Sequence, residues 1–159
     1  MNKYLISLML FLTVSLNAQE LKIKANQFNA DENKGISIFQ GNVNIIKGLD
    51  ELNATKVTVF TNKKHQPTKF IAIGNVSFVI TTKTGSLYRG KAGRAIYMPL
   101  IKEYHFFKNV HLKQVDEKKE IIGDEVVLKT IEGKAYAKGA RKKPVIMIFK
   151  MAPEKEEQK

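Results

Sequence analysis

The sequence of 159 residues contains no cysteine and no tryptophan. Without cysteine, the chain has no disulfide framework and no zinc or iron–sulfur site with thiolate ligands. Neither a Gly-x-Ser-x-Gly motif nor a glycine-rich phosphate loop occurs. The acidic neighbours Asp50–Glu51 and Asp124–Glu125 alternate faces on a strand, so neither forms an acid–base pair. We therefore predict that the protein is not an enzyme and has no catalytic residues and no cofactor.

The three histidines do not predict a metal site. His105 and His111 lie six positions apart on one predicted strand and point to the same face. No third ligand follows at a suitable spacing, and His65 lies in a lysine-rich loop. We expect no bound metal.

The one long apolar run lies at the N-terminus, over residues 5–16. Lys3 precedes the run and the small residue Ala18 follows it, which is the layout of a secretory signal peptide. The run is too short to span a bilayer comfortably. We predict cleavage after residue 18 and an exported mature chain beginning at Gln19; an uncleaved membrane anchor is the alternative. No cysteine follows the run, so a lipoprotein is excluded.

The chain is strongly basic, with 27 Lys and Arg against 15 Asp and Glu and a net charge of +12. An exported protein meets little nucleic acid, so none is predicted as a partner. Phospholipid headgroups, phosphorylated glycolipids and acidic glycans are the anions available to it. The densest basic clusters lie at 138–144, 89–94 and 62–69. The alternative is that they form a solvated face that only favours solubility.

Beyond residue 18 the chain is rich in short β-forming runs separated by turn signals, and no helical periodicity is sustained. The predicted strands cover 35–46, 56–60, 69–82, 94–98, 103–115, 120–130 and 143–150. This pattern predicts an all-β domain over residues 19–150. The last residues, 151–159, are charged and contain proline, and are predicted to be a disordered tail.

A phrase of the Gly-Asn-Val type recurs about every 33 residues, with Val43, Val76 and Val110 in register. Between these phrases a second one recurs, a small residue followed by two further positions and then an apolar one. The small residues are Ala25, Ala54, Ala92 and Gly123. Each unit is therefore predicted to be a pair of strands that buries its apolar face against the neighbouring units.

Glycine inside a strand usually marks a bulge or a bend, and asparagine tolerates a left-handed backbone. We predict a bend at each phrase, with the inward-facing parity switching there, so that a broad sheet folds into a roll. The small residues are expected where facing strands come closest. A purely structural role without ligand contact is expected for Gly41, Asn42, Gly74, Asn75 and Asn109.

The ordered set of motifs resembles the OstA-like family of lipopolysaccharide-transport proteins, and within it the periplasmic LptA branch. The resemblance begins at Ile23, Ala25, Asn26 and Phe28, runs through "FQGNVNI" at 39–45, and ends with "KPVIMIFK" at 143–150. The chain departs from the family pattern with "KNV" at 108–110, with "ARKKPV" at 140–145 and in its basic balance.

This resemblance implies a half-open antiparallel β-jellyroll in the periplasm whose apolar lining holds the acyl chains of lipopolysaccharide. It also implies head-to-tail homo-oligomers bridging the two membranes, with an LptC-like inner-membrane protein and an LptD-like outer-membrane protein as partners. The open sheet edges suit pairing with another chain, and basic residues near the rim suit lipid A phosphates. Two alternatives remain: a membrane-tethered LptC-like relative, and a structural or adhesive β-protein that binds acidic glycans.

The predicted lining comprises the apolar residues of one parity around the repeated phrases. A closed core of ordinary type is the alternative for each of them. They are Ile38, Val43, Ile45, Val57, Val59, Val76, Phe78, Ile80, Ile96, Val110, Leu112, Val126 and Leu128.

Overall fold

The structure is a computed structural model that describes residues 19–153. It consists of one antiparallel sheet of ten strands, and the described chain contains no helix. The strands are β1 (Leu21–Lys24), β2 (Gln27–Asp31), β3 (Ile36–Lys47), β4 (Asp50–Thr61), β5 (Pro67–Thr81), β6 (Leu87–Met98), β7 (Glu103–Gln114), β8 (Lys119–Lys129), β9 (Lys134–Lys138) and β10 (Ile146–Phe149). The prediction of an all-β protein is confirmed.

Strands β3 to β8 form a meander in which each strand pairs with the next along the chain. The short strands β1 and β2 both pair with β3, and β9 and β10 both pair with β8. Within residues 19–153 no strand pairs with the outer side of β1 and β2 or of β9 and β10, so the sheet is open. Strands β1, β2 and β9 are absent from the sequence-based strand assignment because each is short and mostly polar or exposed.

The long strands β3, β5 and β7 bend at the Gly-Asn-Val phrases. At each phrase two successive residues adopt the left-handed backbone region, which a strand otherwise excludes. The φ angles are +78° and +45° at Gly41 and Asn42, +86° and +45° at Gly74 and Asn75, and +66° and +49° at Lys108 and Asn109. The predicted bends are therefore present, and Lys108 adopts the conformation that glycine has in the other two copies.

Each bend adds one residue to its strand. Between β3 and β4 the register passes from Gln40 opposite Lys56 to Val43 opposite Ala54, so three steps on β3 face two on β4. The same shift occurs on β5 after Ile73 and on β7 after Phe107. These are β-bulges, which bend a strand and increase its twist.

The predicted parity switch at Gly-Asn is wrong, and the bulge is the physical reason. Four positions separate the inward-facing residues on either side of the bulge, as from Ala72 to Val76, so their parity is kept. On the neighbouring strands, which lack the extra residue, only three positions span the bend and the parity switches there. The pairs that flank this switch are Ala54 and Val57, Ala92 and Ala95, and Gly123 and Val126.

The bends divide the sheet into two leaves that fold over each other. The first leaf contains β1, the C-terminal halves of β3, β5 and β7, the N-terminal halves of β4, β6 and β8, and β10. The second leaf contains β2, β9 and the other halves of the long strands. The apolar core lies between the leaves, and Phe106, Leu112 and Leu128 are fully buried there.

The repeated small residues lie at the bend. Ala54 and Ala92 are buried and face Val43 and Val76 on the adjacent strands. Gly123 pairs with Val110 in the same way, and a Cβ added there would lie 3.2 Å from the Lys138 carbonyl oxygen. Ala25 differs, because it is exposed in the break between β1 and β2. Ala54 and Ala92 are thus buried at the bend and Gly123 lies close to the following chain, whereas the exposed Ala25 does not fit the prediction.

The predicted signal peptide, residues 1–18, lies outside the described residues, as do residues 154–159 of the predicted tail. Residues 151–153 have no regular secondary structure. Among residues 19–153 no helix has the length and apolarity that a membrane span requires.

Candidate functional site

Stacked aromatic rings pack in the interior, where one contact joins the two leaves and two more lie within the second leaf. Phe78 of the first leaf stacks on Phe106 of the second, with ring centroids 4.0 Å apart. Tyr104 stacks on Tyr97 at 4.3 Å and lies 6.0 Å from Phe106. Such pairs stabilise by about 0.5–1.5 kcal/mol beyond the area they bury. These rings therefore pack against one another in the middle of the roll.

A cavity of about 220 Å³ lies beside this packed centre, between the two leaves. Its walls are mostly apolar, with Ile45, Leu52 and Ile80 from the first leaf and Phe70 from the second. Leu21 also lines it, so the cavity reaches the edge strand β1. Because the walls offer few polar groups, the cavity suits a hydrocarbon chain better than a polar ligand.

A polar cluster borders the apolar cavity where turns of the two leaves meet. The Asp50 carboxylate accepts a hydrogen bond of 2.8 Å from the Thr81 N–H and interacts with the Tyr104 hydroxyl. Lys47 Nζ lies 3.4 Å from the Tyr97 hydroxyl oxygen and 5.7 Å from the centre of its ring. These contacts tie the β3–β4 turn of the first leaf to the second leaf.

The pKa values in this cluster follow from its burial. Burial raises the pKa of Asp50, although the Thr81 N–H, Lys47 and Tyr104 partly oppose the increase. Burial likewise raises the pKa of Tyr104, and the neighbouring Tyr97 and Asp50 raise it further. Tyr104 therefore stays protonated at neutral pH and remains able to donate a hydrogen bond.

A second cavity, of about 580 Å³, lies toward the opposite edge of the sheet. Tyr88, Leu112 and Ile121 form its apolar walls, and Met147 of the edge strand β10 lines it as well. Asp116, Glu117 and Lys119 line it too, so it is more polar than the first cavity. The interior thus has space near both edges.

Most of the predicted lining residues lie together in the interior. Val76, Phe78 and Ile80 come from one strand, and Phe78 and Ile80 line the first cavity directly. Leu112 lines the second cavity. The predicted residues found in the buried core are Val43, Ile45, Val57, Val59, Val76, Phe78, Ile80, Val110, Leu112, Val126 and Leu128.

Ile38 and Ile96 were assigned to the wrong face of the sheet. Ile38 is paired with Thr58, and Ile96 is paired with Ile71 and His105. Residues that are directly paired on neighbouring strands have side chains on the same face of the sheet. The positions next to these along the strands, such as Val57 and Phe106, face inward, so Ile38 and Ile96 face outward. The prediction for Ile38 assumed that the inward-facing parity switches at Gly41–Asn42, whereas the bulge keeps the parity on β3. Ile96 follows the inward-facing Ala95, so it must face outward.

Several interior residues escaped the sequence-based prediction. Phe70 and Ala72 share the parity of Val76, and Tyr104 and Phe106 share that of Val110. The alternation of buried and exposed residues after each Gly-Asn-Val phrase, when it is continued to the residues before the phrase with the same parity, identifies all four. Lys47, Asp50, Leu52 and Tyr97 are contributed by turns and neighbouring strands, which no local pattern associates with the cavity.

Two of the histidines form hydrogen bonds with glutamates. His105 Nε2 lies 3.2 Å from Glu103, and His111 Nε2 lies 2.8 Å from Glu120. The hydrogen bond with His105 lowers the pKa of Glu103, and the bond with His111 lowers that of Glu120. In residues 19–153 no group of three or more His, Asp or Glu side chains is placed to hold a metal ion.

The geometry defines a class of protein: an open antiparallel β-jellyroll with an apolar interior that reaches both sheet edges. The chain belongs to the family described as LptA/(LptD N-terminal domain) LPS transport protein, whose family model matches residues 22–134. This is a family of transport proteins, which confirms the resemblance inferred from the motifs and the prediction that the chain is not an enzyme.

The fold also matches a solved structure. It is similar to the crystal structure of LptH, the LptA-homologous periplasmic component of the lipopolysaccharide transport device of Pseudomonas aeruginosa. The TM-score is 0.73 at 15% sequence identity, over 84% of this chain and 96% of that chain. A comparison with curated protein sequences finds no match.

Proposed function

We propose that this LPS transport protein is periplasmic and carries the acyl chains of lipopolysaccharide between its two leaves. The observation that carries the proposal is the cavity of about 220 Å³ between Phe70, Phe78 and Ile80, which reaches the open edge at Leu21. Burial of each methylene group in such a space is favourable by about 0.8 kcal/mol. The similarity to a periplasmic lipopolysaccharide-transport component supports the same conclusion.

Transport along the interior requires the leaves to separate. The stacked Phe78 and Phe106 hold the leaves together beside the first cavity, which Phe78 lines. The leaves are joined covalently through the long bent strands and through the short β1–β2 and β9–β10 connections. A change of angle at the bulges would widen the space between the leaves. Acyl chains would then replace the contacts between the leaves with contacts of similar apolar character.

The open edges support assembly of several copies into a bridge between the two membranes. One end of the roll exposes β1 and β2 and the other exposes β9 and β10, with no strand paired to either edge in residues 19–153. Unpaired strand edges are ready templates for β-augmentation. Edge pairing with further copies, with an LptC-like protein and with an LptD-like protein would give one continuous apolar interior.

A photocrosslinking experiment tests the cargo. A photoreactive amino acid is introduced at Tyr97, which lines the first cavity, and at its neighbour Ile96, which points to the opposite face. After irradiation in cells, we expect a lipopolysaccharide adduct from position 97 and none from position 96. Met147 and Ile146 form an equivalent pair at the β10 edge, because only Met147 lines the second cavity.

The absence of an adduct from both Tyr97 and Met147 in a folded protein would contradict the proposal. Equal adducts from Tyr97 and Ile96 would also contradict it, because they would indicate a surface contact rather than an interior site. Circular dichroism of each purified variant establishes that it is folded.

A further inference from the structure

Three lysines converge on a concave surface directly above the apolar cavity. Lys47, Lys83 and Lys102 line a depression of about 270 Å³ that Leu49 and Thr130 complete. Lys47 is the last residue of β3, next to the β3–β4 turn of the first leaf. Lys83 lies in the β5–β6 turn of the first leaf and Lys102 in the β6–β7 turn of the second. Such convergence is a property of the folded roll and has no counterpart in the sequence.

Hydrogen bonds with Thr130 fix the backbone positions of two of these lysines. The Thr130 carbonyl oxygen accepts a hydrogen bond of 3.3 Å from the Lys83 N–H. The Thr130 N–H and hydroxyl both donate to the Lys102 carbonyl oxygen, at 3.2 Å and 2.8 Å. Thr130 itself is only 7% exposed. The spacing of Lys83 and Lys102 is therefore set by the fold.

The positive charge of this surface is only partly neutralised. Of the described residues, none places a carboxylate oxygen within 4.0 Å of the ammonium groups of Lys47, Lys83 or Lys102. Asp50 is the acidic residue that lines the depression, and its carboxylate accepts a bond from the Thr81 N–H. Three ammonium groups against one carboxylate leave a net attraction for an anion.

The depression and the apolar cavity are parts of one site. Lys47, Asp50, Tyr97 and Tyr104 line both of them. A ligand with a phosphate at the depression can therefore extend a hydrocarbon chain between the leaves without crossing the sheet. Leu49, which is 82% exposed, adds apolar surface at the rim.

We propose that Lys47, Lys83 and Lys102 form a phosphate-binding subsite for the headgroup of an anionic lipid whose acyl chain occupies the adjacent cavity. The proposal rests on the proposed function and specifies the substrate class of its site. The turns, which meet only in the folded protein, thereby select phosphorylated amphiphiles over neutral ones.

Calorimetric titration with decyl phosphate, decyl maltoside and inorganic phosphate tests the subsite. We expect decyl phosphate to bind more tightly than either of the other two. Shortening the chain to octyl should weaken binding about tenfold, because two methylene groups are lost. The triple substitution Lys47→Gln, Lys83→Gln and Lys102→Gln should weaken decyl phosphate binding about tenfold or more.

A matched variant controls for the loss of net charge. Lys24→Gln, Lys91→Gln and Lys142→Gln remove the same charge at exposed positions away from the depression and should leave binding unchanged. Leu52→Phe keeps the lysines and reduces the cavity volume, so it should weaken the dependence on chain length. Thermal unfolding of all variants establishes that they are folded.

Equal affinity of the two triple variants for decyl phosphate would overturn the proposal, as would equal binding of decyl maltoside and decyl phosphate to the unsubstituted protein. If Tyr97 gives a lipopolysaccharide adduct but the lysine substitutions have no effect, the subsite fails and the transport function stands. If the lysines govern decyl phosphate binding but neither Tyr97 nor Met147 gives an adduct, the subsite stands and the proposed cargo fails.

Discussion

At the scale of single residues, Lys108 differs most clearly from its counterparts. It lies at the position that Gly41 and Gly74 hold in the other two bulges, with φ of +66°. A left-handed backbone costs a residue with a Cβ about 1–2 kcal/mol, a cost that glycine does not incur. The third bulge is therefore the most strained of the three.

We expect Lys108→Gly to raise the free energy of unfolding by about 0.5–1 kcal/mol, since relief of strain exceeds the added entropy of the unfolded chain. Lys91→Gly is the control, because Lys91 is an exposed residue of β6 without a positive φ. That substitution should lower the free energy of unfolding by about 0.5–1 kcal/mol. Urea denaturation measures both, and a destabilised Lys108→Gly variant would contradict the strain argument.

Asp50 gives a prediction about pH. Its pKa is raised in the folded protein, mainly by burial, so the folded state holds its proton more tightly than the unfolded state does. The resulting stabilisation is present below the unfolded pKa, about 3.9, and is lost as the pH rises through the folded pKa. The Asp50→Asn variant has no carboxyl group at this position, so it does not lose stability in this way as the pH rises. The free energy of unfolding of Asp50→Asn relative to the unsubstituted protein should therefore increase between about pH 3.5 and 7.

Urea titrations at several pH values test the Asp50 prediction, with Asp31→Asn at the end of β2 as the control. A difference between the Asp50→Asn variant and the unsubstituted protein that stays constant across this pH range would contradict it.

At the scale of elements, the central strands and the edge strands contribute differently to stability. Phe106 of β7 is fully buried and stacks on Phe78 of the other leaf. The side chains of β10, by contrast, are between 41% and 54% exposed. The strand β10 pairs only with β8, and a basic loop separates it from β9. The core should therefore tolerate the loss of this edge strand better than the loss of one central ring.

We expect Phe106→Ala to lower the free energy of unfolding by about 3–5 kcal/mol. Deletion of residues 144–159 should lower it by less and leave a single cooperative transition. Urea denaturation of the two variants compares them. A deletion variant less stable than Phe106→Ala would indicate that β10 closes the roll rather than extending it.

At the scale of the whole molecule, the two exposed edges predict association. The edge formed by β1 and β2 and the edge formed by β9 and β10 lie at opposite ends of the sheet. A contact between unlike ends does not close into a dimer, so it allows repeated addition of copies. We expect light scattering to detect end-to-end growth with concentration, reduced by deletion of residues 144–159. A strict monomer at high concentration would contradict edge pairing.

The local pattern determined much of this protein. Alternating β-branched residues and the repeated phrases predicted an all-β fold, the repeat unit, the bends and most of the buried core. These features depend on backbone preferences and on the period of side chains along a strand, and both are properties of a few consecutive residues.

Only the tertiary structure decided how the pattern continues across each bend. Ile38 faces outward because the extra residue of the bulge preserves the inward-facing parity on β3. Ile96 faces outward because the neighbouring strand β6 lacks the extra residue, so the parity switches there. The cavity and the convergence of Lys47, Lys83 and Lys102 depend on turns far apart in the chain that meet when the leaves fold together. No local periodicity encodes such a meeting, because it is set by the angle at which the sheet folds over.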